Sequence, residues 1–436
     1  MPWPAFLATF LAALVLLLAL RVPVGFAMLG VGTVASLFAF GSFSAGINQV
    51  SLSVLASVDS FTLTAIPLFV LMGEILFRSG IAQGALAEIS IAMRRFPGRL
   101  AMVSIGGGAL FGLLSGSTLA NTALFGKTLL PEMRAKGYSP SLGMGSILAS
   151  GGLAMILPPS ALAILWGAIA DVPIGPLLIA GIIPGFLMAI GYGIIVLVWS
   201  RIPGATPPAE LHEKRKVGDA AVALLRNAVV PGLIIVAVLG MIFLGIATPT
   251  ESAAIGAVAS VIFALFLRTW DRKAWMEVAV GAAKTSGIIF FILLGSNLYA
   301  QLMSFSGTTR GLVTSITDNI TSPALMLLVI MGILLVLGAF IDQASIMLVT
   351  APLFMPIVAA FGWDPVWFSI LLLINLQIAN TTPPFGMSLF VMRGVVPDVP
   401  MTLIYKAALP WILSDVVVII LLAIFPVLVT YLPSTM

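Results

Sequence analysis

Apolar residues run through this chain in long blocks, such as Leu7 to Leu20, Val229 to Ala247 and Leu325 to Phe340, instead of alternating with polar ones. Such blocks approach or reach the roughly 20 residues that a helix needs to cross a hydrocarbon core. The alternating ten-residue strands of a membrane barrel are missing. The pattern predicts helices over about 5–20, 23–41 and 62–77, the last two separated by a polar, serine-rich loop. A small-residue segment from about 100 to Met133 follows, with Ser115-Gly116-Ser117-Thr118 in its middle, and then a segment over 141–170 broken at Pro158-Pro159. Helix 175–199 leads into a long hydrophilic loop, 201–227. Helices over 228–247, 251–267 and 285–303 come next, then a segment 324–361 interrupted at Asp342, a segment 365–392 broken at Pro383-Pro384, and a last helix over 403–432. Two semi-polar stretches, 79–98 and 305–322, precede the interrupted segments. Ile81, Leu86, Ile89, Ile91, Met93 and Phe96 of the first alternate with polar residues, and both stretches read as helices lying in the membrane interface or else as plain loops.

The second half of this order repeats the first. Pro131, Ala135, Gly137, Pro140, Leu148, Ala154, Pro158 and Pro159 recur at a constant offset of 225, from Pro356 through Pro384, with no gap. In an apolar chain, a duplicated pair of Pro-interrupted segments points to a transporter site between two structural repeats. The repeats are placed at 45–200 and 270–432 within one polytopic unit, 1–436.

Composition agrees with a membrane location: 60% of the residues are hydrophobic, 8% are charged, and mean hydropathy is +1.18. The absence of cysteine excludes disulfides and thiolate chemistry. The net charge of +4 has a topological cause and gives no reason to expect nucleic acid. If 100–133 and 324–361 are re-entrant hairpins, all 20 Lys and Arg except Arg310 and Lys127 fall on one side of the membrane. By the positive-inside rule that side is the cytoplasm and both termini lie outside. Reading each hairpin as two ordinary spans preserves the parity of later loops, so charge alone leaves both topologies open. Length favours re-entrance for 100–133, which is too short for two crossings of about 20 residues and a turn. Five spans between the hairpins make the repeats inverted. The N-terminus lacks a basic signal region, so it reads as a retained first span.

Non-helical backbone at membrane depth is tolerated only where it is buried in protein or lines a cavity. Four such places are expected: Ser115–Thr118, Gly151–Pro159, Gly338–Ser345 and Asn380–Pro384, paired by the repeat so that Ser117 matches Asp342. Two tips and two broken helices meeting near the midplane offer carbonyls and hydroxyls to a monovalent cation and helix N-termini to a carboxylate. The alternatives are ordinary ones. Ser-Gly-Ser-Thr also suits close helix packing, and a proline kink alone is common in spanning helices. Asp342, an ionisable group inside an apolar segment, is the strongest single pointer to function. Lys127 either reaches the anion or snorkels to the interface, Glu74 is ambiguous, Glu132 fits the interface, and His212 sits in the charged loop.

Ser-Gly-Ser-Thr-Leu-Ala-Asn (115–121), Leu-Pro-Glu-Met (130–133), Ile-Leu-Pro-Pro-Ser (156–160), Ala-Gly-Ile-Ile-Pro-Gly (180–185), Gly-Ile-Ala-Thr-Pro-Thr-Glu-Ser-Ala-Ala (245–254) and Thr-Pro-Pro-Phe-Gly (382–386) together resemble the large membrane subunit of tripartite ATP-independent periplasmic (TRAP) transporters. The resemblance covers nearly the whole chain. It implies an all-α elevator-type membrane protein that is not an enzyme. It further implies Na+-coupled uptake of an organic acid, a C4-dicarboxylate or sialic acid, across a bacterial or archaeal inner membrane. The implied partners are a small four-helix membrane subunit, expected as a separate chain, and a soluble periplasmic binding protein. Matched residue by residue, one Na+ site falls on Ser115, Ser117 and Thr118 with Gly151 and Gly152, and another on Gly338 and Asp342 with Thr381 and Thr382. Substrate contacts fall on Asn121, Lys127, Gln343, Ser345, Asn380 and Gly386. Lys127, Gln343, Gln377 and Asn380 depart from the residue types common in the family, which leaves the acid itself open. A rival reading is a stand-alone Na+/dicarboxylate or anion carrier of similar architecture. A membrane hydrolase fares poorly, because no embedded histidine is available as base or metal ligand.

Overall fold

The computed structural model describes residues 2–20, 22–40, 42–58, 61–78, 90, 96–115, 117–206, 229–267, 270–384 and 386–436, and regular structure among them is entirely helical. Ile174–Trp199, Pro249–Phe266, Arg272–Phe305, Gln343–Ala360 and Met401–Ile424 are each long and apolar enough to cross a membrane. Pro140–Ile156 and Ala161–Ala170 add another such span, bent by 44° at its break. The chain is therefore a multi-pass membrane protein.

Helix limits follow the sequence repeat closely. The first interrupted segment folds as two arms, Arg99–Ser115 and Thr118–Ala135, and the second as Pro323–Gly338 and Gln343–Ala360. The broken helices begin at Pro140–Ile156 and Pro365–Thr381 and resume at Ala161–Ala170 and Met387–Val395. Returning arms and first broken halves both start and stop 225 residues apart. Local chemistry sets these limits. Ser117 and Asp342 cap the returning arms, and Ser139 and Asp364 cap the broken helices, each accepting a first-turn backbone N–H. Proline stands at the first helical turn in both broken helices. The turn between arm and broken helix needs a left-handed residue, met by Gly137 (φ +84°) and Gly362 (φ +65°).

Packing also respects the repeat. Each entering arm lies along the broken helix of its own half, while each resumed segment crosses over: Met387–Val395 packs on Thr118–Ala135, and Ala161–Ala170 on Gln343–Ala360. Trp166 of the same segment also donates its indole N–H to Ser369 Oγ of the second broken helix, Pro365–Thr381, at 2.7 Å. Around this core stand Val24–Ala39, Phe43–Val58, Ala65–Arg78, Pro249–Leu267 and the 34-residue helix Arg272–Phe305, packed mainly on one another.

Three expectations need correction. The serine-rich loop between the second and third predicted helices is helical over Phe43–Val58, because its polar side chains find a partner far along the chain: Gln49 Nε2 and Ser53 Oγ both donate to Gln301 Oε1 at 2.5 Å. Second, the helix predicted over 285–303 begins at Arg272, where Asp271 caps it, while the semi-polar stretch after it forms a helix, Thr308–Asn319, as read from the sequence. The last predicted helix divides into Met401–Ile424 and the short Val427–Thr430, with Pro426 between them. Most of the other semi-polar stretch (79–89 and 91–95), most of the 201–227 loop with His212, and Gly116 lie outside the described residues.

Sequence reading passed over Asp415, although it stands in an apolar run just as Asp342 does. It is buried in Met401–Ile424 and accepts a hydrogen bond of 2.6 Å from the Tyr192 hydroxyl of Ile182–Trp199. Tyr192→Phe should lower stability by about 1–3 kcal/mol, since it strands a buried acceptor. Thermal unfolding in detergent reads this directly, and Tyr431→Phe, at an exposed ring, is the control.

Candidate functional site: two hairpin tips on two broken helices

Both tips are helix N-termini, where free backbone N–H groups and the helix dipole favour an anion. At the first, Ser117 Oγ accepts from Ala120 N at 3.3 Å, and Thr118 begins the returning arm. Thr118 lies directly on Gly151: a Cβ there would come within 2.8 Å of Thr118 Cγ2. Asn121, one turn on, donates to Ser150 Oγ at 3.4 Å. The hydroxyl of Thr118 and the side-chain carbonyl of Asn121 are both buried without a hydrogen-bond partner among the described residues. Ser115 ends the entering arm beside this tip.

The second tip is built differently. Asp342 Oδ1 accepts from Ser345 N at 3.0 Å and Oδ2 from the Ser345 hydroxyl, which uses part of a carboxylate's four acceptor sites. Gln343 donates to Leu376 O and Met155 Sδ, both at 3.3 Å. Gly338 is packed so closely on Ala379 that a Cβ would fall 2.3 Å from the alanine methyl. At the nearby break, Thr381 and Thr382 bond back to helix carbonyls at 3.1 and 2.6 Å, while Asn380 Nδ2 donates to Ser388 Oγ at 2.6 Å. Gly386 leaves room for the Asn380 carbonyl, 2.6 Å from where its Cβ would be.

Of the first expected set the structure brings Thr118 onto Gly151, and of the second it brings Gly338 onto Ala379, next to Thr381 and Thr382 in the chain. Lys127 is exposed on the outer part of its arm, away from these buried groups. Glu74, left ambiguous by the sequence, lines a cavity of about 340 Å³ between Ala65–Arg78 and the first tip, whose wall includes Ser117, Ala120 and Pro159. Its carboxylate meets Arg78 at 3.1 Å, and Arg78 also meets Glu277 at 2.8 Å. Glu132 pairs with Lys136 at 2.8 Å on the exposed end of the first hairpin. Gln377 sits against Gly152, its repeat mate, with Cγ, Cδ and Nε2 all 2.9 Å from where a glycine Cβ would lie. No composition signal reveals that contact; only the paired numbering combined with the fold does. Among the described residues no three His, Cys, Asp or Glu side chains gather as a metal cluster, so hydroxyl, amide and backbone oxygens plus the Asp342 carboxylate are what the tips offer. Such hard oxygen donors fit a cation like Na+.

Helical hairpins that bury oxygen-rich tips against broken helices inside an apolar bundle define a membrane transporter. The solved structure of the Alcanivorax borkumensis YdaH transporter has a similar fold, with a TM-score of 0.63 at 17% identity over 87% of this chain and 89% of that one. Residues 11–428 match the family described as Tripartite ATP-independent periplasmic transporter, DctM component. The chain belongs to this family, the large membrane subunits of TRAP transporters. Among its relatives, the C4-dicarboxylate TRAP transporter large permease protein DctM of Pseudomonas aeruginosa is 30% identical over 89% of this chain and 88% of the relative. The sialic acid TRAP transporter large permease protein SiaM of Vibrio cholerae is 31% identical over 94% of this chain and 95% of the relative. The isethionate TRAP transporter permease protein DctMQ of Oleidesulfovibrio alaskensis is 29% identical, and this chain spans 64% of its length.

Proposed function

We propose that this chain is the ion-coupled permease of a three-part system that takes up an organic acid with Na+ across the inner membrane. The observation that carries the coupling is the pair of buried, unpartnered oxygens on Thr118 and Asn121 at a hairpin tip. Each unmet acceptor in an apolar interior costs about 1–3 kcal/mol, and a bound cation relieves that cost. In this reading Ser115, Ser117 and Thr118 with Gly151 and Gly152 hold one Na+, and Gly338, Asp342, Thr381 and Thr382 hold another. Of the residues that the resemblance assigns to the acid, Ser345, Asn380 and Gly386 face it, its carboxylate met by helix N-termini, whereas Asn121 turns its carbonyl to the first Na+ and Gln343 spends its amide on Leu376 and Met155. Lys127, on the exposed side of its arm, would act only on the approach path.

The two halves are inverted repeats, the hairpins are re-entrant, and the termini face the periplasm. The hairpin and broken-helix core slides as an elevator past the packed outer helices, carrying cation and anion together so that little net charge enters lipid. Binding of each improves binding of the other by linkage. A small membrane subunit braces the outer helices, and a periplasmic binding protein delivers the acid. The relatives named for C4-dicarboxylates and for sialic acid are about equally similar, so both substrates belong in the test.

The test is uptake of labelled succinate and N-acetylneuraminate by proteoliposomes holding the chain with its small subunit, with the binding protein outside. Accumulation is expected only with an inward Na+ gradient and the binding protein present. Equal uptake in K+ would overturn the coupling, and full uptake without a binding protein would favour the stand-alone carrier.

A further inference from the structure

We propose that Gln343 fills, with its own amide, the place in the second half of the chain that a cation takes beside Thr118 in the first. The inference rests on the Na+ reading above and goes past it: the second half keeps the ion held by Asp342 but has none at the position equivalent to Thr118.

Thr118 and Gln343 are repeat mates, each the first residue of a returning arm. Their neighbours are mates as well. Thr118 touches Gly151, and Gln343 bonds the carbonyl of Leu376, which stands 225 residues further on. The same seam between arm and broken helix is thus seen twice, with different contents.

In the first seam the acceptors are open. Thr118 is 2% exposed and Asn121 0%, yet Thr118 Oγ1 and Asn121 Oδ1 have no hydrogen-bond partner among the described residues. In the second seam the corresponding groups are satisfied or apolar. Gln343 Nε2 donates to Leu376 O and Met155 Sδ. The mate of Asn121 is Ile346, buried and apolar, and the mate of Ser150 is Asn375, which donates to Met331 O at 2.9 Å. An amide N–H brings partial positive charge to a carbonyl at a fixed place, which is what a cation would otherwise supply there. The first seam has oxygens without donors; the second has donors already seated on its oxygens.

Gln377 adds to the imbalance. It is 1% exposed, and its Oε1 is a further buried oxygen without a partner, on a side chain that belongs to the second half but lies against Gly152 of the first. Equivalent residues that touch each other lie where the two halves meet. At that meeting point one position must be small because the other is large, so a glutamine faces a glycine.

Asp342, one residue before Gln343, keeps its own acceptor sites and is unaffected by this argument. What Gln343 removes is a copy of the Thr118 position.

Equilibrium binding of radioactive Na+ to the purified complex with its small subunit counts the ions. Thr118→Gln, which gives the first seam the residue of the second, should bind one Na+ fewer than the wild-type chain. The double change Gln343→Thr with Ile346→Asn, which copies the first seam into the second, should bind one more. The second variant decides the matter if the first does not fold. If the wild-type complex binds no Na+, the coupling reading and this inference fall together. If it binds Na+ and neither folded variant changes the count, this inference alone is overturned.

Discussion

Asp342→Asn should leave the second hairpin folded and raise the Na+ concentration for half-maximal uptake by about tenfold or more. Asparagine caps a helix about as well as aspartate, so the bonds now made to Ser345 have a ready substitute and the returning arm keeps its start. What is lost is the charge. If Gln343 has closed the Thr118-like position, the Asp342 carboxylate is the chief attraction for a cation at this tip, and a tenfold loss corresponds to about 1.4 kcal/mol. Asp342→Ala should do more, because it removes the cap as well, at about 1 kcal/mol. Uptake as a function of Na+, alongside thermal unfolding of each variant, separates the two contributions. A normal Na+ curve for the asparagine variant would reduce Asp342 to a helix cap.

The second large effect is expected at Gly112, on the entering arm of the first hairpin. A Cβ there would sit 2.4 Å from both Cα and Cβ of Ala154 and 3.0 Å from its backbone nitrogen. Those atoms belong to the broken helix itself, so no side-chain rotation relieves the overlap and the two helices must part. Overpacking a core costs about 1–3 kcal/mol where side chains can adjust, and Gly112→Ala should reach or exceed the upper end because backbone cannot. Spreading this seam also disturbs Gly151 and Gly152, one turn earlier, so uptake should fall together with thermal stability. Gly287→Ala is the control. That glycine is also helical but has nothing within 4 Å of an added Cβ, so the better helix propensity of alanine, worth up to about 1 kcal/mol, should show instead. Equal unfolding temperatures for the two variants would mean that the hairpin is not seated on its broken helix as described.

Much of this site was readable one residue at a time, because the residues that interrupt helices act locally. Proline removes a donor and clashes with the preceding turn, and an aspartate or serine before a helical run caps it, wherever the chain goes next. That is why the Pro-Pro breaks and the Asp342 turn appear where the pattern put them. The error over residues 43–58 has the opposite origin. Serines and glutamine there look like a loop until Gln301, some 250 residues away, accepts their hydrogen bonds. Asp415 was within reach of the same rule that found Asp342. Its partner was not, since Tyr192 lies 223 residues away in the chain.

By itself, then, the sequence determined a helical membrane chain, its internal duplication at an offset of 225, the four places where helix must stop, and the family, all of which rest on composition and local backbone chemistry. Tertiary structure alone decided what each stop faces. Only folding brings Gly152 against Gln377, leaves the oxygens of Thr118 and Asn121 without donors, and seats the Gln343 amide on Leu376. The reason is physical: hydrogen-bond satisfaction in an apolar interior depends on neighbours distant in the chain, so a repeat that is nearly symmetric in backbone becomes unequal in its side-chain chemistry.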